Sequence, residues 1–77
     1  VEGALLMMFF NDHDPPHVQI EFAEYRAKIN IATLAVMSGR LPPAKQRRIL
    51  DWVGAHRKEL AEAWLDVRAD RKSTRIA

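Results

Sequence analysis

The sequence contains no cysteine, and this absence excludes disulfide bonds, thiolate metal ligands and a cysteine nucleophile. Its apolar run ALLMMFF, residues 4–10, is far shorter than the roughly 20 residues that a membrane-spanning helix needs. The run also lacks the basic flank and cleavage pattern of a signal peptide. We therefore expect a cytoplasmic protein that has no membrane partner.

The chain has 77 residues, which is enough for one domain only. A domain of this size buries about 60% of the surface that its unfolded chain exposes. Without a disulfide, a metal or a partner subunit, its core seldom supplies more than roughly 3–5 kcal/mol of stability. Additional stability must therefore come from close packing or from association.

The charge is distributed unevenly along the chain. Residues 1–39 carry two basic and five acidic side chains, a net charge of −3, whereas residues 40–77 carry ten basic and five acidic side chains, a net charge of +5. Such asymmetry is typical of proteins that bind nucleic acid or an acidic partner, and it is equally typical of an ordinary solvated helix.

The first half of the sequence has the patterns of β-strands. Residues 5–10 are continuously apolar, which predicts a central strand buried on both faces. Residues 18–22 and 25–31 alternate apolar and polar side chains, and the two-residue link between them predicts a hairpin. Residues 34–36 could form a short fourth strand, which Ser38, Gly39 and two prolines would end.

The second half predicts a long amphipathic helix over residues 43–69, with Pro42 and Pro43 at its start. Its apolar stripe consists of Ile49, Val53, His56, Leu60, Trp64 and Val67, flanked by Trp52 and Ala63. Gly54 lowers the stability of a helix by about 1 kcal/mol relative to alanine, so a kink or a division into two helices is an alternative.

Together these patterns predict an α+β fold in which a small antiparallel sheet of three to four strands packs against one long C-terminal helix, either straight or kinked. The chain is then a single domain, with a sheet over residues 1–36, a helical part over residues 43–69 and a tail over residues 70–77.

The segment NDHDPPH, residues 11–17, concentrates groups that can bind a metal. Neutral imidazole is a common ligand of divalent ions, and three protein ligands with an open position form a catalytic zinc site. If the double proline folds the turn back, His13, His17 and one of Asp12 or Asp14 reach that number. A divalent metal is thus a possible cofactor, although the sequence requires none.

Two other interpretations of this segment remain open. His13 and His17 could act as an acid/base pair that cleaves RNA, because histidine titrates near neutral pH. No nucleophile, phosphate-binding glycine loop or basic cluster adjoins them, however. The segment could also be an ordinary tight turn, in which asparagine, aspartate and proline are favoured for their local backbone preferences.

Exposed helix residues are candidates for binding a partner. Arg47 and Lys58 lie on the outer side of the predicted helix, and Leu65 lies opposite its apolar stripe. Direct nucleic-acid binding would use the basic residues Lys45, Arg47, Arg48, Arg57, Lys58, Arg68, Arg71, Lys72 and Arg75. Acidic residues share the same helix face, so the helix presents no clean basic stripe.

The segments MMFFNDHDPPHVQIEF, SGRLPP and ILDWVGAHRKELAEAW resemble a family of short bacterial proteins, domain of unknown function 4160. Members of that family usually carry a further histidine where this sequence has Gln19, so the family's three histidines are reduced here to His13 and His17. The family's genes commonly lie beside another small gene, an arrangement similar to that of toxin–antitoxin pairs.

The resemblance implies a protein partner and assigns no reaction. We expect a small bacterial protein-interaction module, one component of a toxin–antitoxin-like pair, that binds a small partner protein or itself. A histidine-dependent, possibly metal-assisted enzyme that cleaves RNA is the alternative, and a nucleic-acid-binding protein is a further one.

Overall fold

The computed structural model describes all 77 residues, Val1–Ala77. It contains five strands and two helices, and its class is α+β, as the sequence predicts. In chain order the elements are β1 (Leu5–Met8), β2 (His17–Phe22), β3 (Tyr25–Asn30), β4 (Val36–Arg40), α1 (Pro43–Ala55), α2 (Arg57–Asp70) and β5 (Thr74–Arg75).

The five strands form one sheet in the order β4-β3-β2-β1-β5, and every neighbouring pair is antiparallel. The predicted hairpin is confirmed, because β2 and β3 pair along their whole length from His17–Asn30 to Phe22–Tyr25. The prediction that the first apolar run is the central strand is wrong: β2 is central, and β1 is next to the edge.

The sheet has one strand more than the three to four predicted. The prediction that Ser38 and Gly39 end the fourth strand is wrong, because both lie within β4 and pair with β3. Gly39 has a positive φ of 74° and approaches the Arg26 carbonyl group so closely that only glycine suits the position. β5 comes from the predicted tail and pairs with β1 through Met7–Arg75 and Met8–Thr74. Both side chains of this short strand are exposed, so its sequence has no alternation of apolar and polar residues that would predict a strand.

The predicted long helix is divided into two, and this is a correction to the sequence analysis. The division falls at His56, which leaves the helical conformation at φ −112° and ψ 19°, rather than at Gly54. The backbone N–H of His56 lies within hydrogen-bonding distance of both the Trp52 and Val53 carbonyl oxygens. Its ring Nδ1 lies 2.8 Å from the Trp52 carbonyl oxygen, and the ring stacks on the Trp52 indole at 4.0 Å between centroids.

Both helices lie on one face of the sheet, and the core fills the space between the two layers. The predicted stripe has six positions, and the five apolar ones are buried: Ile49, Val53, Leu60, Trp64 and Val67. His56, the sixth position, is half-buried. The strands supply Leu6, Met8, Val18, Ile20, Ala27 and Ile29 to the same cluster, and Ile31 joins it from the turn after β3. Neither helix has the length and apolar content that crossing a bilayer would need.

Candidate functional site

The turn between β1 and β2 lies at one end of the sheet and contains the predicted histidine and aspartate residues. It includes a cis peptide bond between Asp14 and Pro15. The backbone N–H of Ile31 donates to the Pro16 carbonyl oxygen at 3.2 Å, which ties the end of the turn to the segment that follows β3.

His17 and Asp12 are brought together by this turn. His17 is buried, its Nδ1 lies 2.8 Å from the Pro15 carbonyl oxygen, and its Nε2 lies 3.2 Å from Asp12 Oδ2. The same Oδ2 atom accepts a hydrogen bond of 2.9 Å from the side-chain amide of Gln19. One carboxylate oxygen therefore joins the first and third residues of β2 to the turn.

The protonation of His17 follows from these contacts in part. A carbonyl oxygen can only accept, so Nδ1 is the donor to Pro15. The contact between Nε2 and Asp12 is an ion pair when the ring carries its second proton. Both ring nitrogens thus have a partner within hydrogen-bonding distance, so a metal could bind His17 at Nε2 only by displacing Asp12 from it.

Two side chains of α2 hold the turn from the other side. The His17 and Trp64 ring centroids are 5.1 Å apart, at an interplanar angle of 50°. The Arg68 guanidinium lies 5.5 Å from the centroid of the Trp64 ring, and its Nη1 donates a 2.6 Å hydrogen bond to the backbone carbonyl of Asp12. Arg68 therefore connects the turn to the C-terminal half of α2.

The other predicted ligands of a metal do not join this network. His13 and Asp14 are exposed, and no hydrogen bond or ion pair involves their side chains. No group of three or more histidine, aspartate or glutamate side chains is arranged to hold a metal ion. The arrangement at Asp12 and His17 is suited to fixing the turn and orienting β2.

Gln19, Trp64 and Arg68 belong to this network, and the sequence analysis assigned none of them to it. The position of Gln19, two residues after His17 on the same strand, was the available signal. Arg68 gave no signal, because it is separated from Asp12 by 56 positions in the chain.

The predicted partner-binding residues Arg47, Lys58 and Leu65 are all exposed on the helices. Leu65 is 67% exposed, yet its neighbours one turn away are alanine, glutamate, arginine and a second alanine, so no large apolar patch surrounds it. Lys58 borders a groove beside Pro16 and Ile31. These residues lie on the side of the molecule formed by the helices.

The face of the sheet opposite the helices is uncovered, and we call it the open face. Its positions follow from strand alternation and register, and they are Leu5, Met7, Gln19, Glu21, Arg26, Lys28, Ser38, Arg40 and Arg75. Phe9, which follows β1, borders the same surface. Together with Met7, Gln19 and Lys28 it lines a depression of about 280 Å³.

The open face combines an apolar side with a basic side. Leu5, Met7 and Phe9 are only half-buried although no helix covers them. Across the sheet, Arg26 forms an ion pair of 3.1 Å with Glu21. Lys28, Arg40 and Arg75 have no carboxylate within ion-pair distance, so the open face carries a net positive charge.

Comparison with known proteins gives one match. Residues 3–65 match the family model described as a domain of unknown function, DUF4160. The matched region includes the turn with Asp12 and His17 and every residue of the open face except Arg75. No curated protein and no solved structure matches the chain.

Proposed function

The chain belongs to the DUF4160 family, and from this premise we propose that it is a single-domain, cytoplasmic protein-interaction module of bacteria, one component of a toxin–antitoxin-like pair. The function would be exerted through a complex with a second small protein. The open face of the sheet is the surface that would bind it.

One observation carries this proposal: the outward positions of β1 are apolar. An antiparallel sheet with one solvated face normally alternates apolar residues toward the core with polar residues toward water. Here Leu5 and Met7 point away from the core, and Phe9 continues their side of the sheet. Contiguous apolar side chains that remain accessible are typical of interaction sites.

The size of the chain supports the same proposal. A core of about this size supplies only roughly 3–5 kcal/mol of stability without a disulfide, metal or partner. A partner that covers Leu5, Met7 and Phe9 would add buried apolar surface worth about 25 cal/mol per Å². Association would therefore stabilise the fold as well as define its role.

Acid/base cleavage of RNA by His13 and His17 has less support. Both ring nitrogens of His17 already have partners, and the neighbouring side chains of the turn are acidic, which disfavours a phosphate backbone. RNA cleavage by the purified protein that is lost in His17→Gln, while the variant keeps its fold, would favour the enzyme over the interaction module.

The experiment that tests the proposal is co-expression of the chain with the product of the gene next to its own, the small neighbour that the family resemblance implies. We expect a complex of defined stoichiometry by size-exclusion chromatography with light scattering, and slower hydrogen exchange in β1 and β2. Phe9→Glu should disrupt the complex, because it places a charge in the apolar side of the open face.

Leu65→Glu is the matched control, since it introduces the same charge at an exposed apolar residue on α2. It should leave the complex intact. A complex that resists Phe9→Glu and is lost in Leu65→Glu would move the interface to the helices, and the absence of any complex would refute the proposed pairing.

A further inference from the structure

We infer that the open face binds an acidic polypeptide segment of a different protein, with an apolar side chain of that segment in the depression beside Phe9. The inference rests on the proposed function and specifies its partner. It depends on the charges, the ion pairs and the shape of the open face.

The charge of the open face is the first argument. Its only acidic strand residue, Glu21, is already paired with Arg26. Lys28 lies on β3 opposite Gln19, and Arg75 lies on β5 opposite Met7. Arg40 on β4, opposite Arg26, is a third cation without an ion pair. These unpaired cations stand on both sides of the central strands, so a complementary surface must supply carboxylates on both sides.

The same charges disfavour a second copy of this chain as the occupant. If two open faces met, Lys28 and Arg75 of each copy would face a surface with no free carboxylate. Opposed like charges at an interface are unfavourable and suppress such pairings. A different protein with acidic side chains avoids this repulsion.

Nucleic acid fits the open face less well than an acidic peptide does. Asp12 contacts Gln19 at one end of β2, and Glu24 lies in the hairpin at the other end. These carboxylates would repel a phosphate backbone that runs along the strand. Single-stranded nucleic acid is also usually held by several aromatic side chains that stack on its bases, and Phe9 is the only aromatic residue of this surface.

The shape of the open face provides the apolar part of the recognition. The depression of about 280 Å³ is bordered by Met7 and Phe9 on one side and by Lys28 on the other. An apolar side chain placed there would contact Met7 and Phe9, while an adjacent carboxylate would reach Lys28. A segment that combines acidic and apolar residues matches both requirements.

Fluorescence anisotropy with defined probes tests this inference. The probes are three labelled peptides of equal length, in which leucine alternates with glutamate, glutamine or lysine, and a single-stranded RNA of the same length. We expect the glutamate peptide to bind at least about tenfold more tightly than the other probes, and its affinity to fall with added salt.

Charge reversal at two of the unpaired cations, one on each side of the central strands, is the decisive variant. Lys28→Glu combined with Arg75→Glu should weaken binding of the glutamate peptide about tenfold, because two exposed charge interactions are each worth a few-fold in affinity. The matched control reverses two exposed cations on the helices, Arg47→Glu with Lys58→Glu, and should leave the affinity unchanged. Lys28→Gln with Arg75→Gln provides a milder pair of changes if the reversed variant does not fold.

The outcomes separate this inference from the proposed function. Equal binding of all three peptides, no peptide binding, tighter binding of RNA, or equal loss of affinity in the helix control would each overturn the acidic-segment inference. A complex with the adjacent gene's product that tolerates both open-face reversals would also overturn it, and would leave the proposed pairing intact.

Discussion

Replacement of Asp12 by alanine should destabilise the fold more than the loss of any other acidic side chain of the turn. Asp12 Oδ2 accepts a hydrogen bond of 2.9 Å from the Gln19 amide and lies 3.2 Å from His17 Nε2. A hydrogen bond to a charged group contributes about 1.5–3 kcal/mol net, and a buried polar group left without a partner costs about 1–3 kcal/mol. Gln19 can turn to water on the open face, whereas His17 is only 4% exposed.

The expected loss for Asp12→Ala is therefore about 2–3 kcal/mol, most of it from the unpaired nitrogen of His17. For a domain of this size each kcal/mol corresponds to about 4–8 °C in Tm, so thermal unfolding followed by circular dichroism should show a decrease of about 10–20 °C. Asp12→Asn should lose less, because the amide retains an acceptor oxygen.

Asp66→Ala is the control, since it removes an exposed carboxylate of α2 that has no hydrogen bond or ion pair. Its Tm should remain close to that of the unmodified chain. If Asp12→Ala and Asp66→Ala unfold within about 2 °C of each other, the turn network does not contribute to stability as its geometry suggests.

Three further predictions concern stability and metal binding. Trp64→Ala should cost about 3–5 kcal/mol and unfold the domain, so a variant with the original Tm would contradict the packing of α2. Gly39→Ala should lower the urea midpoint of unfolding, because a Cβ at this position of φ +74° would collide with the Arg26 carbonyl oxygen. Gly54→Ala is the control and should lower the midpoint less, because its Cβ meets only a leucine methyl group at 3.2 Å. Equal midpoints of the two variants would refute the steric argument. In calorimetric titrations with zinc, we expect weak or no binding by the unmodified chain and measurable binding by Gln19→His, which adds an imidazole beside a carboxylate and a second imidazole; no gain would eliminate a metal site at this turn.

The parts of the fold that depend on local pattern were predictable from the sequence. The β2–β3 hairpin has strict alternation on both strands, and the buried residues of both helices follow one apolar stripe. The division at His56 was not predictable, because His56 keeps the phase of that stripe while its backbone leaves the helix. The position of β1 next to the edge was not predictable either. Its sequence is continuously apolar although Leu5 and Met7 are only half-buried, and a fully buried central strand would have the same sequence pattern.

At the candidate site, too, the contacts within one short segment were predictable and the long-range contacts were not. Asp12 and His17 lie in one short segment, so their proximity was foreseeable from a tight turn. Arg68 reaches the turn from α2, and that contact depends on how the helices lie over the sheet. The open face could not be recognised before the sheet order was known, because Lys28 and Arg75 belong to strands far apart in the sequence.

The pairing of β5 with β1 has a consequence for the order in which the chain folds. Strands β1, β2 and β3 each pair with the next strand in sequence, and such local pairings close short loops. The contact between Met7 and Arg75 instead closes almost the whole chain, and the entropy cost of loop closure increases with loop length. We expect β5 to join the sheet last and to open first in native-state hydrogen exchange, so the outer edge of β1 is the first backbone to become accessible.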